Sequence, residues 1–145
     1  MSEAIYVGAD HAGFRLKQQL VDELKRLGYQ PVDVGPKTLD PADDYPDYAR
    51  PVAAAVSAGK ARQGVLTCGT GLGMAYVANR FPHVRAAVAW SPEVAELARK
   101  HNDANVLVLP ARFVSEEEGM TILHKWLETA FEGGRHARRV GKIDP

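Results

Sequence analysis

The sequence is poor in the features that mark secreted, membrane-spanning and nucleic-acid-binding proteins. One cysteine in 145 residues permits no internal disulfide. No apolar run is long enough to span a membrane, and no segment has the pattern of a signal peptide. Lysine plus arginine equals aspartate plus glutamate at 18 each, which argues against a general nucleic-acid or membrane-surface binder. These absences predict one globular domain, residues 1–145, in a reducing cytoplasm.

Short apolar runs alternate with helical periodicity five times along the chain. The predicted strands cover residues 5–9, 31–34, 65–68, 85–90 and 105–109. The predicted helices cover residues 14–27, 48–58, 74–81, 92–100 and 116–131, the second capped by Asp47. The connections are mostly short, although residues 35–47 form a long polar loop with three prolines. This alternation predicts a parallel sheet with helices on both faces, followed by a basic tail from about residue 132.

The segment 64–74 joins an apolar strand to a helix. Cys68 ends the strand, and Gly69, Gly71 and Gly73 alternate behind it. Alternating glycines let the backbone turn tightly and expose consecutive N–H groups, which suits an anionic ligand at a helix N-terminus. The same terminus would favour the thiolate of Cys68. The alternative is that Cys68 is a small apolar residue that ends a core strand.

This glycine segment is not a nucleotide-binding fingerprint. Residues 69–74 lack the glycine or alanine that a dinucleotide motif has at its sixth position. Trp90 and Ser91 occupy the region where that motif places an acidic ribose ligand, and the lysine of a P-loop is missing. A nicotinamide cofactor is therefore not expected.

Polar residues collect after the predicted strands. Asp10 and His11 follow the first, Cys68 ends the third, Trp90 and Ser91 follow the fourth, and Arg112 follows the fifth. Ligands of open parallel sheets bind beyond the carboxyl ends of the strands, where the strand order reverses. The sequence therefore predicts a ligand site at this edge.

Five motifs in this chain resemble those of ribose-5-phosphate isomerase B and its relatives, which include galactose-6-phosphate and allose-6-phosphate isomerases. The motifs are residues 8–14 (GADHAGF), 44–48 (DYPDY), 66–74 (LTCGTGLGM), 101–107 (HNDANVL) and 133–136 (GGRH). They occur in the family's order over nearly the whole chain. One branch of the family lacks the cysteine and uses a glutamate a few residues later. This chain has Cys68 and no acid between Gly69 and Asn79, so it resembles the cysteine-type branch.

The resemblance implies an α/β fold, a Rossmann-like three-layer α/β/α sandwich with a five-stranded parallel sheet, in which the first and third strands are neighbours. It implies an aldose-ketose isomerase of the pentose phosphate pathway, which interconverts D-ribose 5-phosphate and D-ribulose 5-phosphate through an enediolate. It also implies a homodimer or a dimer of dimers with shared active sites. No cofactor is expected. The histidines are dispersed and the lone cysteine has no neighbouring ligand, so no metal site is expected either.

The resemblance also implies a role for each site residue. Cys68 is the base, and the enediolate oxygens are held by the Thr70 hydroxyl and the N–H groups of Gly69, Gly71, Leu72 and Gly73. His101 opens the sugar ring, a step suited to a side chain that changes charge near neutrality, and Asn102 adds a hydrogen bond. Asp10 contacts ring hydroxyls or the ring oxygen, and Tyr45 closes over the sugar. The phosphate is bound by His11, Arg112, Arg135 and Arg139.

Arg135 and Arg139 share a face if the tail is helical, and their guanidinium groups fit phosphate oxygens. His101, Asn102 and Arg112 are expected to reach the partner's Cys68.

Structural explanations remain open for several of these residues. Thr70 and Asp10 could be helix caps, His101 could be a C-terminal histidine favoured by the helix dipole, Tyr45 could simply pack, and the basic tail could be solvated. Two other functions also remain open, a non-catalytic regulator that binds a sugar phosphate and a nucleotide-binding structural module. A regulator would have no need of Cys68 or His101 at these positions.

Overall fold

This computed structural model describes residues 3–145. The strands in these residues form one parallel sheet. Their bounds are β1 Ala4–Ala9, β2 Gln30–Asp33, β3 Gln63–Cys68, β4 Ala86–Val88 and β5 Val106–Pro110. The strand order is β2-β1-β3-β5-β4, so the predicted pairing of the first and third strands is confirmed. The order reverses between β1 and β3, which places a ligand crevice at their carboxyl ends.

Helices cover both faces of this sheet. A 3₁₀ turn at His11–Gly13 leads into the first helix, and the helices are α1 Phe14–Arg26, α2 Pro46–Ser57, α3 Leu72–Ala78, α4 Pro92–Asn102, α5 Glu116–Glu128 and α6 Arg135–Val140. Buried side chains of α1, α4 and α5 form one hydrophobic core, and those of α2 and α3 form another on the opposite face. The predicted three-layer α/β/α sandwich is confirmed. No helix in residues 3–145 has the length and apolar character needed to cross a membrane.

The signals at several helix ends act as the sequence predicts. The Ser91 hydroxyl accepts a hydrogen bond from the Val94 N–H at the start of α4. Ser115 and Glu118 form a reciprocal capping box at the start of α5. Gly28 follows α1 with a φ of +93°, a left-handed conformation that favours glycine at the end of a helix.

Several predicted bounds are wrong by a few residues. Helix α2 begins at Pro46 rather than residue 48, so Asp47 lies in its first turn instead of capping it and Pro51 lies inside the helix. Helix α3 begins at Leu72, because Gly71 adopts the conformation that ends the loop. Helix α5 ends at Glu128, so residues 130 and 131 are not part of its apolar stripe.

The direction of α4 decides where the second half of the predicted site lies. This helix begins beside the carboxyl end of β4 and ends at Asn102, before β5 starts. The N–H of Gly64, near the amino end of β3, donates to the carbonyl of Asn105 over 2.9 Å. Cys68 stands four residues further along β3, or about 13 Å at the usual rise of a strand. The end of α4 and Cys68 therefore lie at opposite edges of the sheet.

Candidate active site

The predicted site residues, together with His136, form two groups, one at each edge of the sheet. The group at the carboxyl edge, here called the cysteine cluster, consists of Asp10, His11, Tyr45, Cys68, residues 69–73 and Arg112. The group at the amino edge, here called the histidine cluster, consists of His101, Asn102, Arg135, His136 and Arg139. Each cluster is held by different elements of the fold.

Cys68 ends the central strand and is a free thiol that is 5% exposed. Its side chain faces the α2 and α3 side of the sheet, in the same core as Leu66 and Val108. The carbonyl of Cys68 accepts a hydrogen bond of 2.8 Å from the Ala111 N–H, which fixes the end of β3 to the segment after β5. The thiol is therefore held in a fixed position directly before the glycine segment.

The glycine segment turns sharply from β3 into α3. Gly71 has a φ of +78° and is the residue before the helix, a left-handed conformation that favours glycine. The N–H groups of Gly69, Thr70 and Gly71 donate to no oxygen within residues 3–145. The N–H of Leu72 differs, because it donates to the Thr70 hydroxyl oxygen over 3.2 Å. Thr70 thus caps the turn, and its hydroxyl proton is still available to a ligand.

Tyr45 lies over this segment from the long loop. A Cβ placed on Gly73 would come within 2.6 Å of two carbons of the Tyr45 ring, so ring and backbone are in direct contact. The ring is 39% exposed, which leaves part of its surface accessible beside the glycine segment. Tyr45 therefore packs at this site, as one of the two interpretations of the sequence expects.

Asp10 begins the 3₁₀ turn that follows β1. Its Oδ1 accepts hydrogen bonds from the N–H groups of Ala12 (2.9 Å) and Gly13 (3.2 Å), so this carboxylate is a helix cap, which was the structural alternative. Asp10 is 7% exposed and sits at the crevice between β1 and β3. Both capping bonds end on Oδ1 of Asp10, so its other carboxylate oxygen, Oδ2, is not used for capping.

His11 follows Asp10 and is held from the long loop by Asp43. The Oδ1 atom of Asp43 accepts from the His11 Nδ1 over 2.8 Å and from the His11 backbone N–H over 3.1 Å. This hydrogen bond raises the pKa of His11 above its ordinary value, while nearby Arg112 opposes that rise. Since the imidazole is partly exposed, it can present a positive charge to an anion at this edge.

Arg112 lies on the glycine segment of its own chain. Its N–H donates to the carbonyl of Gly69 over 3.0 Å, and a Cβ placed on Gly69 would lie 3.0 Å from its Nε atom. This differs from the expectation that Arg112 reaches the partner's Cys68. His11 and Arg112 therefore belong to the same cluster, close enough for their charges to interact.

The histidine cluster is built from the end of α4 and from α6. The rings of His101 and His136 are stacked, with centroids 4.3 Å apart and planes 11° from parallel. Arg135 and Arg139 are one turn apart on α6 and both are exposed, so the predicted shared face of a helical tail is confirmed. Asn102 is exposed beside them and lines a groove of about 760 Å³ at the amino edge, remote from Cys68.

His136 was given no role from the sequence, although the fourth position of the motif GGRH pointed to it. It is 6% exposed, and its Nε2 atom is buried without a hydrogen-bond partner in residues 3–145. Burial, together with the nearby His101, lowers the pKa of His136. The ring therefore favours the neutral form that can stack on His101.

Two groups of side chains bring possible metal ligands together, which the dispersed histidines of the sequence did not predict. His101, Glu132 and His136 form one group, and Asp10, His11 and Asp43 form the other, with ligand atoms within 4.8 Å of one another. In the first group the two imidazole rings are stacked and nearly parallel. In the second, hydrogen bonds occupy Oδ1 of both carboxylates and the Nδ1 of His11. Each group offers three ligand atoms, fewer than the four of a structural zinc site.

Similarity to known proteins identifies the family to which this chain belongs. The model of the ribose/galactose isomerase family matches residues 5–143. The chain belongs to the ribose/galactose isomerase family. This confirms the family expected from the five motifs.

Individual members of the ribose/galactose isomerase family are similar over their whole length. The probable ribose-5-phosphate isomerase B of Mycoplasma pneumoniae is 46% identical over 143 residues, which are 99% of this chain and 94% of the relative. The ribose 5-phosphate isomerase of Thermotoga maritima is 43% identical, with a TM-score of 0.95 over 99% of both chains. The enzyme of Mycoplasma genitalium, whose crystal structure holds ribulose-5-phosphate, is 44% identical, with a TM-score of 0.96 over 99% of this chain and 95% of that one.

In this member of the ribose/galactose isomerase family, a single chain does not bring all the predicted residues together. Cys68 and His101 lie at opposite edges of the sheet, and the predicted phosphate ligands divide between them. His11 and Arg112 belong to the cysteine cluster, whereas Arg135 and Arg139 belong to the histidine cluster. The order of the motifs along the chain does not reveal this division, which follows from the direction of α4.

Proposed function

We propose that this protein interconverts D-ribose 5-phosphate and D-ribulose 5-phosphate. The observation that carries the proposal is the fixed thiol of Cys68, which stands beside free backbone N–H groups at the sheet's ligand-binding edge. Membership of an isomerase family supports it, as do relatives named ribose-5-phosphate isomerase B that match almost the whole chain. The reaction belongs to the pentose phosphate pathway.

In the proposed reaction Cys68 moves the proton. Its thiolate removes the proton from C2 of the open-chain aldose, which gives an enediolate. The hydroxyl proton on O2 passes to O1, and the thiol returns its proton to C1, which gives the ketose. The free N–H groups of the glycine segment stabilise the enediolate oxygens, as an oxyanion hole does, and the Thr70 hydroxyl donates to the same oxygens. The N–H of Leu72 already donates to the Thr70 hydroxyl oxygen, so it stabilises the enediolate less than the other backbone N–H groups do. Asp10 contacts the sugar with the oxygen that does not cap the 3₁₀ turn, and Tyr45 covers the sugar from the long loop.

We propose that His101 opens the sugar ring, with Asn102 hydrogen-bonded to the substrate. His101 is partly exposed at the end of α4, and its stacking partner keeps its ring oriented. It lies far from Cys68 of the same chain, so it acts on the substrate bound by a second chain. The functional unit is therefore a homodimer, or a dimer of dimers, with active sites shared between chains.

The substrate phosphate is bound from both chains. His11 and Arg112 approach it from the cysteine cluster, and Arg135 and Arg139 approach it from the partner's histidine cluster. Guanidinium groups match phosphate oxygens in geometry and stay charged at every physiological pH. These residues supply all the charge that the reaction requires, so we propose catalysis without a cofactor or metal. We also propose that the protein acts in the cytoplasm.

Two rival functions would use parts of the same site. The family includes hexose-phosphate isomerases, so allose 6-phosphate or galactose 6-phosphate could be the preferred substrate. A non-catalytic regulator would need the phosphate ligands but would not need a fixed thiol or a ring-opening histidine. The presence of both Cys68 and His101 favours the enzyme.

Coupled assays decide between these functions. Isomerisation of ribose, allose and galactose phosphates is measured in the presence of a chelator. The proposal predicts turnover with ribose 5-phosphate that the chelator does not reduce. Faster turnover with a hexose phosphate would reassign the substrate, and saturable binding of all three without turnover would indicate a regulator. Loss of turnover with the chelator, restored by a divalent ion, would contradict the metal-free mechanism.

A further inference from the structure

Asp43 makes an unusual pair of contacts for a residue of an exposed loop. One oxygen, Oδ1, accepts hydrogen bonds from both the backbone N–H and the ring Nδ1 of His11. The Asp43 side chain is 5% exposed, whereas that of His11 is 35% exposed. A single buried carboxylate oxygen thus fixes both the backbone and the ring of His11.

The second oxygen of Asp43 has no comparable use in the fold. Its Oδ2 atom is buried and accepts no hydrogen bond within residues 3–145. Burial of a carboxylate is costly unless both oxygens are well paired, so the unpaired Oδ2 does not stabilise the loop. The loop already has another anchor, because Lys17 donates to Asp33 and to the Pro36 carbonyl over 2.8 to 2.9 Å. The buried position of Asp43 is therefore explained by its contacts with His11 rather than by the folding of the loop.

We propose that Asp43 is a positioning residue, which holds Nδ1 of the His11 imidazole so that its Nε2–H points at the substrate phosphate, and which favours the positively charged form of the ring. With Nδ1–H held by Asp43, only Nε2 can meet a ligand. A charged imidazole then donates a charge-assisted hydrogen bond, which is stronger than a neutral one. This inference rests on the proposed function, because it uses the phosphate-binding role of His11.

The charges around His11 give this role a defined pH dependence. The hydrogen bond to Asp43 is the largest influence and raises the pKa of His11, and the nearby charges of Asp10 and Asp43 raise it further. Desolvation and the charge of Arg112 oppose this rise. Phosphate binding by the imidazolium is present below this raised pKa and is lost as the pH rises through it. Arg112 keeps its charge over this range, so its own protonation adds no pH dependence to phosphate binding. Loss of the Asp43 charge should shift the pH-dependent part to lower pH.

The test compares Asp43→Asn with Asp40→Asn. Asparagine keeps an oxygen for the His11 N–H groups but removes the charge. Asp40 lies in the same loop, where its Oδ1 accepts from the Ala42 N–H, a bond that asparagine can also make. The ring of His11 is titrated by NMR, with its signals assigned from His11→Asn. Inorganic phosphate affinity and the KM for ribose 5-phosphate are measured from about pH 6 to pH 9.

Asp43→Asn should lower the titration midpoint of His11 and weaken phosphate binding at about pH 8 by roughly tenfold, the value of one charge-assisted hydrogen bond. The loss at about pH 6 should be smaller, KM should change more than kcat, and Asp40→Asn should behave like the wild type. An unchanged His11 midpoint in Asp43→Asn overturns the proposal. So does a phosphate affinity that falls equally at both pH values. If the wild type proves not to isomerise ribose 5-phosphate, the ring titration and the binding of inorganic phosphate still decide the role of Asp43.

Discussion

The ring of Tyr45 lies against the backbone of Gly73, so that a Cβ at residue 73 would approach two ring carbons to 2.6 Å. This contact joins the long loop to the first turn of α3. It requires a residue without a side chain at position 73, where the backbone φ is negative and any other residue could otherwise form helix. The glycine is therefore explained by its neighbour rather than by its own conformation.

Gly73→Ala should have opposite effects on stability in two backgrounds. In the wild type it forces the Tyr45 ring to move and should lower the free energy of unfolding by about 1–3 kcal/mol, the usual cost of overpacking. In Tyr45→Ala the clash is absent, and alanine should stabilise α3 by about 0.5–1 kcal/mol through its higher helix propensity. Urea unfolding of the four chains measures both values. The same cost in both backgrounds would show that Tyr45 does not occupy this position.

Arg135→Ala and Arg139→Ala should each weaken binding of ribose 5-phosphate by about 1.5–3 kcal/mol, as expected for a hydrogen bond to a charged group. The matched control is Arg138→Ala, which removes the same charge from the same exposed helix between them. It should have little effect on KM. Unphosphorylated ribose, already a poor substrate, should be affected much less by either change, and equal losses on both substrates would mean that these arginines are structural.

His101→Asn should separate ring opening from proton transfer. Ribose 5-phosphate exists mostly as a closed furanose, whereas ribulose 5-phosphate cannot form that ring because its C5 oxygen carries the phosphate. The variant should therefore lose most of its initial rate from ribose 5-phosphate, since asparagine cannot transfer a proton. From ribulose 5-phosphate the rate should persist, because the released open-chain aldose cyclises in water. A matched loss in both directions would assign His101 to proton transfer or to the fold.

The contact between α1 and α5 should make stability depend on acid pH. Hydrogen bonds from Arg26 and then His124 lower the pKa of Glu23 from 4.5 to about 2. A carboxylate with a depressed pKa stabilises the fold above its unfolded pKa, and this contribution is lost as the pH falls towards 2. Glu23→Gln should therefore lower the urea midpoint at pH 6 and converge on the wild type near pH 2. Asp22→Asn, on the exposed side of the same helix, is the control and should show no such convergence.

Much of the fold follows from local sequence signals. Apolar runs predict all five strands, and the caps at Ser91 and Ser115 place two helix starts correctly, because a hydroxyl followed by helix-forming residues satisfies the first N–H groups wherever it occurs. The start of α2 was less predictable. The side chain of Asp47 is of a type that caps helices, but the helical backbone conformation already begins at Tyr45. Tyr45 is held there by its packing against Gly73.

The site was predictable to a different degree at each edge of the sheet. Asp10, His11, Cys68 and Arg112 follow parallel strands, so their meeting at one edge follows from the topology alone. His101 follows no strand, and its position depends on the antiparallel course of α4 and on the stacking with His136. Asp43 could not be found in advance, because its contact with His11 joins residues 32 positions apart through a loop without regular structure.

In the proposed functional unit, Cys68 of one chain and His101 of another act on the same substrate. Cys68→Ser should reduce kcat by roughly 10²–10⁴, the range for a lost general base, because a serine hydroxyl is a far weaker acid than a thiol. His101→Asn should be similarly impaired when ribose 5-phosphate is the substrate. Mixed dimers of these two variants contain one doubly altered site and one fully wild-type site, if the sites are shared.

The most direct measurement is the isomerisation of ribose 5-phosphate by such mixed dimers, isolated with a different affinity tag on each chain. Shared sites predict about half of the wild-type activity per dimer, although each parent variant is almost inactive. The homodimers of each variant, tagged in the same way, are the controls. Mixed dimers that form stably but remain as inactive as their parents would contradict shared sites, because they would show that Cys68 and His101 do not combine across chains.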